Sequence, residues 1–193
     1  MRVFQDRHDA GAQLALALHH YAEAADVVVL AHTRTSVPAA YEVATRLALP
    51  LDVLDMPPRE FARGTRVGPA VSRDDQPPVA LTLPVVTNQI VVLVDDGDDA
   101  RCMPLAIEKL RAGGATTVIA AVGVASPQVY ALLQAAADHI FCVLSPQHIY
   151  SVQAWFADYA EPSEADIRDL LVAAAQNLSR LRRGHFLDAP VDT

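Results

Sequence analysis

Cysteine is scarce in this chain: Cys102 and Cys142 are the only two in 193 residues. Neither sits in a C-x-x-C or zinc-ligand spacing, so a disulfide framework is not expected and both read as small buried hydrophobes. Long apolar runs are missing as well. Runs such as Val27 to Ala31 and Ile90 to Val94 fall far short of the roughly 20 residues that a membrane helix needs. The Met1-Arg-Val-Phe-Gln start has no apolar signal-peptide core, which makes the cytoplasm the expected location and a membrane an unexpected partner. Basic charge is also low, with 15 Lys and Arg against 23 Asp and Glu and a formal net charge of −8. Such a chain repels a nucleic-acid backbone, and its one basic cluster, Arg180, Arg182 and Arg183, reads as a solvated helix end.

Several motifs are absent too. No P-loop, G-x-G-x-x-G or G-x-S-x-G occurs, which removes the commonest kinase, dinucleotide and hydrolase readings. The histidines, among them His19-His20, His32, His139, His148 and His185, show no H-x-x-x-H spacing, so a zinc enzyme is not favoured. Neither an internal repeat nor a long low-complexity tract is present.

What remains is 52% hydrophobic and 20% charged, enough to bury a core as one globular domain over residues 1–193. Three runs, Val27 to Ala31, Gln89 to Val94 and Thr117 to Val122, are apolar throughout, as parallel strands covered on both faces should be. Helical patterns alternate with them: Ala10 to Ala24, Pro38 to Ala48, Pro104 to Ala112 and Pro127 to Ala137. Pro38, Pro104 and Pro127 are placed to open helices, and Gly113-Gly114 is placed to stop one. Asp138 to Leu144 predicts another strand. Ser163 with Asp166 forms a variant capping box that opens a helix to about Leu181. Residues 57–86, rich in proline, predict an extended excursion, and residues 185–193 a frayed tail. The order βαβα predicts an α/β fold, doubly wound about a mainly parallel sheet.

The chemistry concentrates in Val91-Val-Leu-Val-Asp95-Asp96-Gly97-Asp98-Asp99. A buried strand ending in adjacent carboxylates delivers them to the carboxyl edge of the sheet, where ligands of open α/β sheets bind. Two acids there suit ribose hydroxyls or Mg²⁺, a hard cation that favours a few carboxylates plus water.

This strand and its acid pair resemble the signature of the type I phosphoribosyltransferases. The resemblance extends, toward a bacterial subgroup of such proteins, through Phe4-Gln-Asp-Arg-His-Asp-Ala-Gly11, Pro50-Leu-Asp-Val-Leu54, Ala121 to Pro127, Leu144-Ser-Pro146, Tyr150 and Ala154-Trp155-Phe156-Ala157-Asp158-Tyr159. It implies that fold with a reduced hood, and a substrate of the phosphoribosyl diphosphate kind. It further implies that Asp95 and Asp96 contact the ribose hydroxyls, and that the loop Gly97, Asp98, Ala100, Arg101, Cys102 and Met103 holds the 5-phosphate at a helix N-terminus. Asp99 stands where purine-salvage members carry an acid that acts as general base. Arg34, Thr35 and Ser36 stand in the loop that cradles pyrophosphate.

Departures from the pattern shape the functional expectation. Where the family typically has Thr-Gly-x-Thr after the acids, this chain reads Ala100-Arg101-Cys102-Met103, and Asp98 and Asp99 add negative charge beside the phosphate position. Two glycines of the pyrophosphate loop are replaced, one by the β-branched Thr35. Met56-Pro57-Pro58 replaces a basic pair, and the insertion that follows is short. The expectation is therefore a protein that binds a phosphorylated ribose with Mg²⁺ and has weak or lost transfer activity. The alternative is a non-catalytic regulatory or interaction module on the same fold. Self-association is compatible with either.

Overall fold

The computed structural model describes residues 3–54, 85–97 and 100–187. Most of the 57–86 excursion, where a reduced hood is expected, lies outside the described residues, as do Asp98, Asp99 and residues 188–193. The described elements are α1 (Arg7–Ala17), β1 (Val27–Ala31), α2 (Val37–Leu47), β2 (Leu51–Val53), β3 (Ile90–Asp95), α3 (Met103–Ala112), β4 (Thr117–Val124), α4 (Pro127–Ala136), β5 (His139–Leu144) and α5 (Glu164–Leu187). All five strands run parallel in the order β2-β1-β3-β4-β5. The fold is the expected α/β arrangement, with β3 at the centre of the sheet.

Both faces of the sheet are covered, and alternate residues of each central strand go to opposite cores. Val27, Val29, Val92, Val94, Ile119 and Ala121 meet α1, α2 and α5 on one side. Val28, Leu30, Val91, Leu93, Val118 and Ala120 meet α3 and α4 on the other. Burial at about 1.5–3 kcal/mol per large apolar side chain makes this double layer the main source of stability. The helix pair α1 and α2 packs with its backbones nearly touching: a Cβ on Gly11 would lie 2.2 Å from the Ala39 carbonyl oxygen.

Caps explain several boundaries. Asp6 accepts the Asp9 N–H at 2.8 Å, so α1 opens at Arg7, earlier than its apolar period indicates, and it closes at Ala17. Ser126 caps α4 through the Val129 N–H. Ser163 and Asp166 close the anticipated box on α5, which holds the Asp166 carboxyl below its ordinary value. That helix runs to Leu187, past the expected stop near Leu181, because a single glycine such as Gly184 costs a helix only about 1 kcal/mol. The strand β2, with only three residues, shows no period from which it could be read.

Cys102 and Cys142 are half-buried rather than fully buried as expected, and desolvation pushes the Cys142 thiol up to about 11. Among the described residues no helix is long and apolar enough to cross a membrane.

Two outcomes follow from the sheet. Val92 is fully buried between Val29 and Ile119 on the neighbouring strands. Val92→Asp should leave no cooperative melt by circular dichroism, since an unpaired buried charge costs several kcal/mol; a folded variant would contradict the central placement of β3. Asp138 accepts the Val118 N–H at 2.8 Å and pairs with Arg111 at 2.9 Å, and chiefly the first of these lowers its pKa. A depressed folded pKa contributes stability above the unfolded value that is lost as pH falls through the folded one. Being well exposed, the group should contribute less than about 1 kcal/mol. The melting-temperature advantage of wild type over Asp138→Ala at pH 7 should therefore be small and should narrow below about pH 4.

Candidate functional site

The carboxyl ends of β1 and β3 lie side by side, with Ala31 opposite Val94 and the His32 N–H bonded to the Val94 carbonyl at 2.9 Å. Two more residues along the chain from Val94 therefore bring Asp95 and Asp96 beside the turn that follows β1. Both acids are sealed, Asp95 at 0% and Asp96 at 1% exposure. Asp95 Oδ2 lies 2.8 Å from His32 Nδ1, while its Oδ1 accepts the Gly97 N–H at 2.7 Å. As a carboxylate, Asp95 can only accept, so Nδ1 is the donor. Asp96 Oδ2 accepts from Arg7 Nε at 2.6 Å and from the Tyr159 hydroxyl at 3.1 Å.

Arg7 and Tyr159 reach Asp96 because the start of the described chain is zipped to the segment around Phe156. Phe4 N–H donates to Trp155 O, Ala157 N–H to Phe4 O and Asp158 N–H to Gln5 O, each at 2.8 Å. The Phe4 and Phe156 rings stack at 5.2 Å in a small third core with Ala10 and Val124. The Arg7 guanidinium rests 3.7 Å from the Tyr159 ring centroid and donates through Nη1 to the carbonyls of Tyr159 and Ala160. His32, Arg7 and Tyr159 are the members of this site that the sequence reading does not single out. Arg7 and Tyr159 do lie inside the two segments that carry the family resemblance.

The loop after β1 closes on itself. Thr33 and Ser36 form a reciprocal capping box, with the Thr33 N–H donating to Ser36 Oγ at 3.0 Å, and Thr33 Oγ1 also meets Thr35 Oγ1 at 2.9 Å. Ser36 is buried. Arg34 turns away from the acid pair and pairs with Glu164 at the start of α5. The loop after β3 splits: Ala100 and Met103 point into the core, Cys102 is half-buried, and Arg101 is exposed. Gly97 and Arg101 line a cleft of about 200 Å³ at the carboxyl ends of β3 and β4, together with Val124, Ser126, Tyr150 and Ser151. Tyr150 is wholly exposed at its lip. Of the anticipated site residues, then, Gly97 and Arg101 meet in one cleft, Asp95 and Asp96 face inward beside it, and Arg34, Thr35 and Ser36 are engaged elsewhere.

A family model for the phosphoribosyl transferase domain matches residues 4–160. The chain belongs to this family. The match takes in both zipped segments, the acid pair and the cleft, and stops before α5. A solved structure, TT1426 from Thermus thermophilus, is 29% identical with a TM-score of 0.66, covering 90% of this chain and 99% of that one. Two Mycobacterium tuberculosis proteins, named "Putative phosphoribosyl transferase" Rv0571c and MT0597 in two strains, are each 28% identical over 204 residues, covering 86% of this chain. The chain spans 46% of the length of each of these curated relatives.

This phosphoribosyl transferase domain offers Mg²⁺ a poor donor set at Asp95 and Asp96. The ion keeps several waters and needs octahedral access, whereas both carboxylates are sealed and internally bonded. Among the described residues no three His, Cys, Asp or Glu are grouped to hold a metal.

The turn into the loop depends on Gly97. Its φ is +127°, and a Cβ there would lie 2.3 Å from the Val124 carbonyl oxygen. Gly97→Ala should lose about 1–3 kcal/mol in urea unfolding. A loss below about 0.5 kcal/mol would show that the loop does not approach β4 as described.

Proposed function

We propose that this domain binds a phosphorylated ribose, of the kind represented by phosphoribosyl diphosphate, in the cleft beside Gly97 and Arg101, and that its capacity for transfer is weak or lost. The cleft is the observation that carries the reading. It lies at the carboxyl edge, where ligands of open parallel sheets bind, and its size suits a small polar ligand rather than a drug-sized one. Arg101 supplies a cation for a phosphate, and the exposed Tyr150 ring offers a face for stacking. The expected Mg²⁺ at Asp95 and Asp96 does not fit their internal pairing, so binding in this arrangement relies on the side chains of the cleft.

Weak transfer is supported by the loops. The Thr33 to Ser36 turn spends its hydroxyls on itself and Arg34 is paired, so few preorganised donors remain for a departing pyrophosphate. Each missing donor of this kind costs about 2.7–4 kcal/mol of transition-state stabilisation. The sealed acid pair also favours a second reading, a non-catalytic interaction module in which the acids serve only the fold.

Calorimetric titration with ribose 5-phosphate separates the two. Binding to wild type, weakened about tenfold or more in Arg101→Ala, is expected if the cleft is the site, since a charge-assisted hydrogen bond is worth about 1.5–3 kcal/mol. No binding heat would favour the module. Turnover with common nucleobases at about 1 per second or faster would contradict the loss of transfer.

A further inference from the structure

We infer that Arg7 is the resident counter-cation of Asp96, standing in place of a divalent metal and turning the acid pair into a clasp that joins the two zipped segments to the end of β3. Adjacent carboxylates must be neutralised by some cation when they leave water. Here a guanidinium is already there, with Nε 2.6 Å from Asp96 Oδ2. Its position is fixed from three sides: the start of α1 carries it, the Tyr159 ring lies under it, and the carbonyls of Tyr159 and Ala160 take Nη1 at 3.2 and 2.6 Å. Arg7 is itself only 6% exposed. A planar donor set of this shape fills several acceptors at once, which a hydrated ion in a sealed pocket cannot do.

Asp95 is closed by a different route. His32 and the Gly97 N–H each engage one of its oxygens and the residue is sealed from solvent, which leaves no room for the waters that a metal shared with Asp96 would keep. The geometry therefore gives Asp96 a positioning role: it anchors the segment 155–160 and the start of α1 at the rim of the ligand-binding edge. The clasp does not require the cleft to bind a sugar phosphate, and its test does not use that ligand.

Thermal melts and calorimetry with MgCl₂, against NaCl of matched ionic strength, test it on wild type, Asp96→Asn and Arg7→Gln. Wild type should show no Mg²⁺-specific heat or shift. Asp96→Asn should melt about 10 °C lower, as a broken buried pair does in a chain of this size, with equal indifference to Mg²⁺. Arg7→Gln, with Asp96 released from its partner, should gain a Mg²⁺-dependent rise of a few degrees that the Arg7→Gln, Asp96→Asn double variant lacks. Mg²⁺ binding by wild type that Asp96→Asn removes would overturn the inference. So would an unchanged melting temperature in Asp96→Asn, or a folded Arg7→Gln protein with no Mg²⁺ response. If Arg7→Gln does not fold, the wild-type and Asp96→Asn arms decide alone.

Discussion

The contact between the Arg7 guanidinium and the Asp96 carboxylate ties together parts of the chain that are otherwise far apart in sequence. Taking both charges out of water costs several kcal/mol per ion, and their attraction offsets that cost only when the remaining donors and acceptors are also satisfied. Arg7 meets this condition through two backbone carbonyls and an aromatic face, and Asp96 through the Tyr159 hydroxyl. Each of these partners belongs to the 155–160 segment, so the buried pair and the docking of that segment require one another. The same docking seals Phe4 and Phe156 over Ala10 and Val124. The small third core is thus organised by a polar interaction at its margin.

Turning the acids inward changes the electrostatics of the sheet edge. A formal charge of −8 would make a crowded, solvent-facing carboxylate cluster hostile to a phosphate. Asp96 is instead offset by Arg7, and Asp95 by two hydrogen-bond donors, while Arg101 stands exposed on the next turn. The accessible polar surface consequently shifts from the β1 side of β3 toward the β4 side, where the cleft with Ser126 and Tyr150 lies. On the β1 side, the Thr33–Ser36 box and the Arg34–Glu164 pair consume the groups that could meet an anion.

Much of this architecture is legible in the sequence because burial on both faces leaves an unbroken apolar run. β1, β3 and β4 announce themselves that way, and Pro38, Pro104 and Pro127 mark helix starts within a residue or two. The adjacent acids, too, stand at the end of β3 as the apolar run before them predicts. Their orientation is not readable, since it is decided by Arg7 and Tyr159, residues 89 and 63 positions away. A single arginine in a polar run and a single tyrosine in an aromatic one carry no local signal of mutual contact. β2 escapes for another reason: three residues are too few to show a period, and its place comes from pairing with β1. The early start of α1 depends on the Asp6 cap, a chemical cue that apolar spacing does not register.

Membership of the phosphoribosyl transferase domain family and the state of its site are settled by different physics. The parallel sheet and its crossovers follow from hydrophobic patterning summed over dozens of residues, so replacing a few loop residues leaves them intact. The site depends on a few directional contacts, each of which can be redirected by one neighbour. Thr33 and Ser36 bond to one another and close the turn after β1 on itself, and a guanidinium 2.6 Å from Asp96 favours a clasp. The sheet edge can therefore carry an acid pair that holds the chain together, and any ligand must be recognised by the groups left facing solvent.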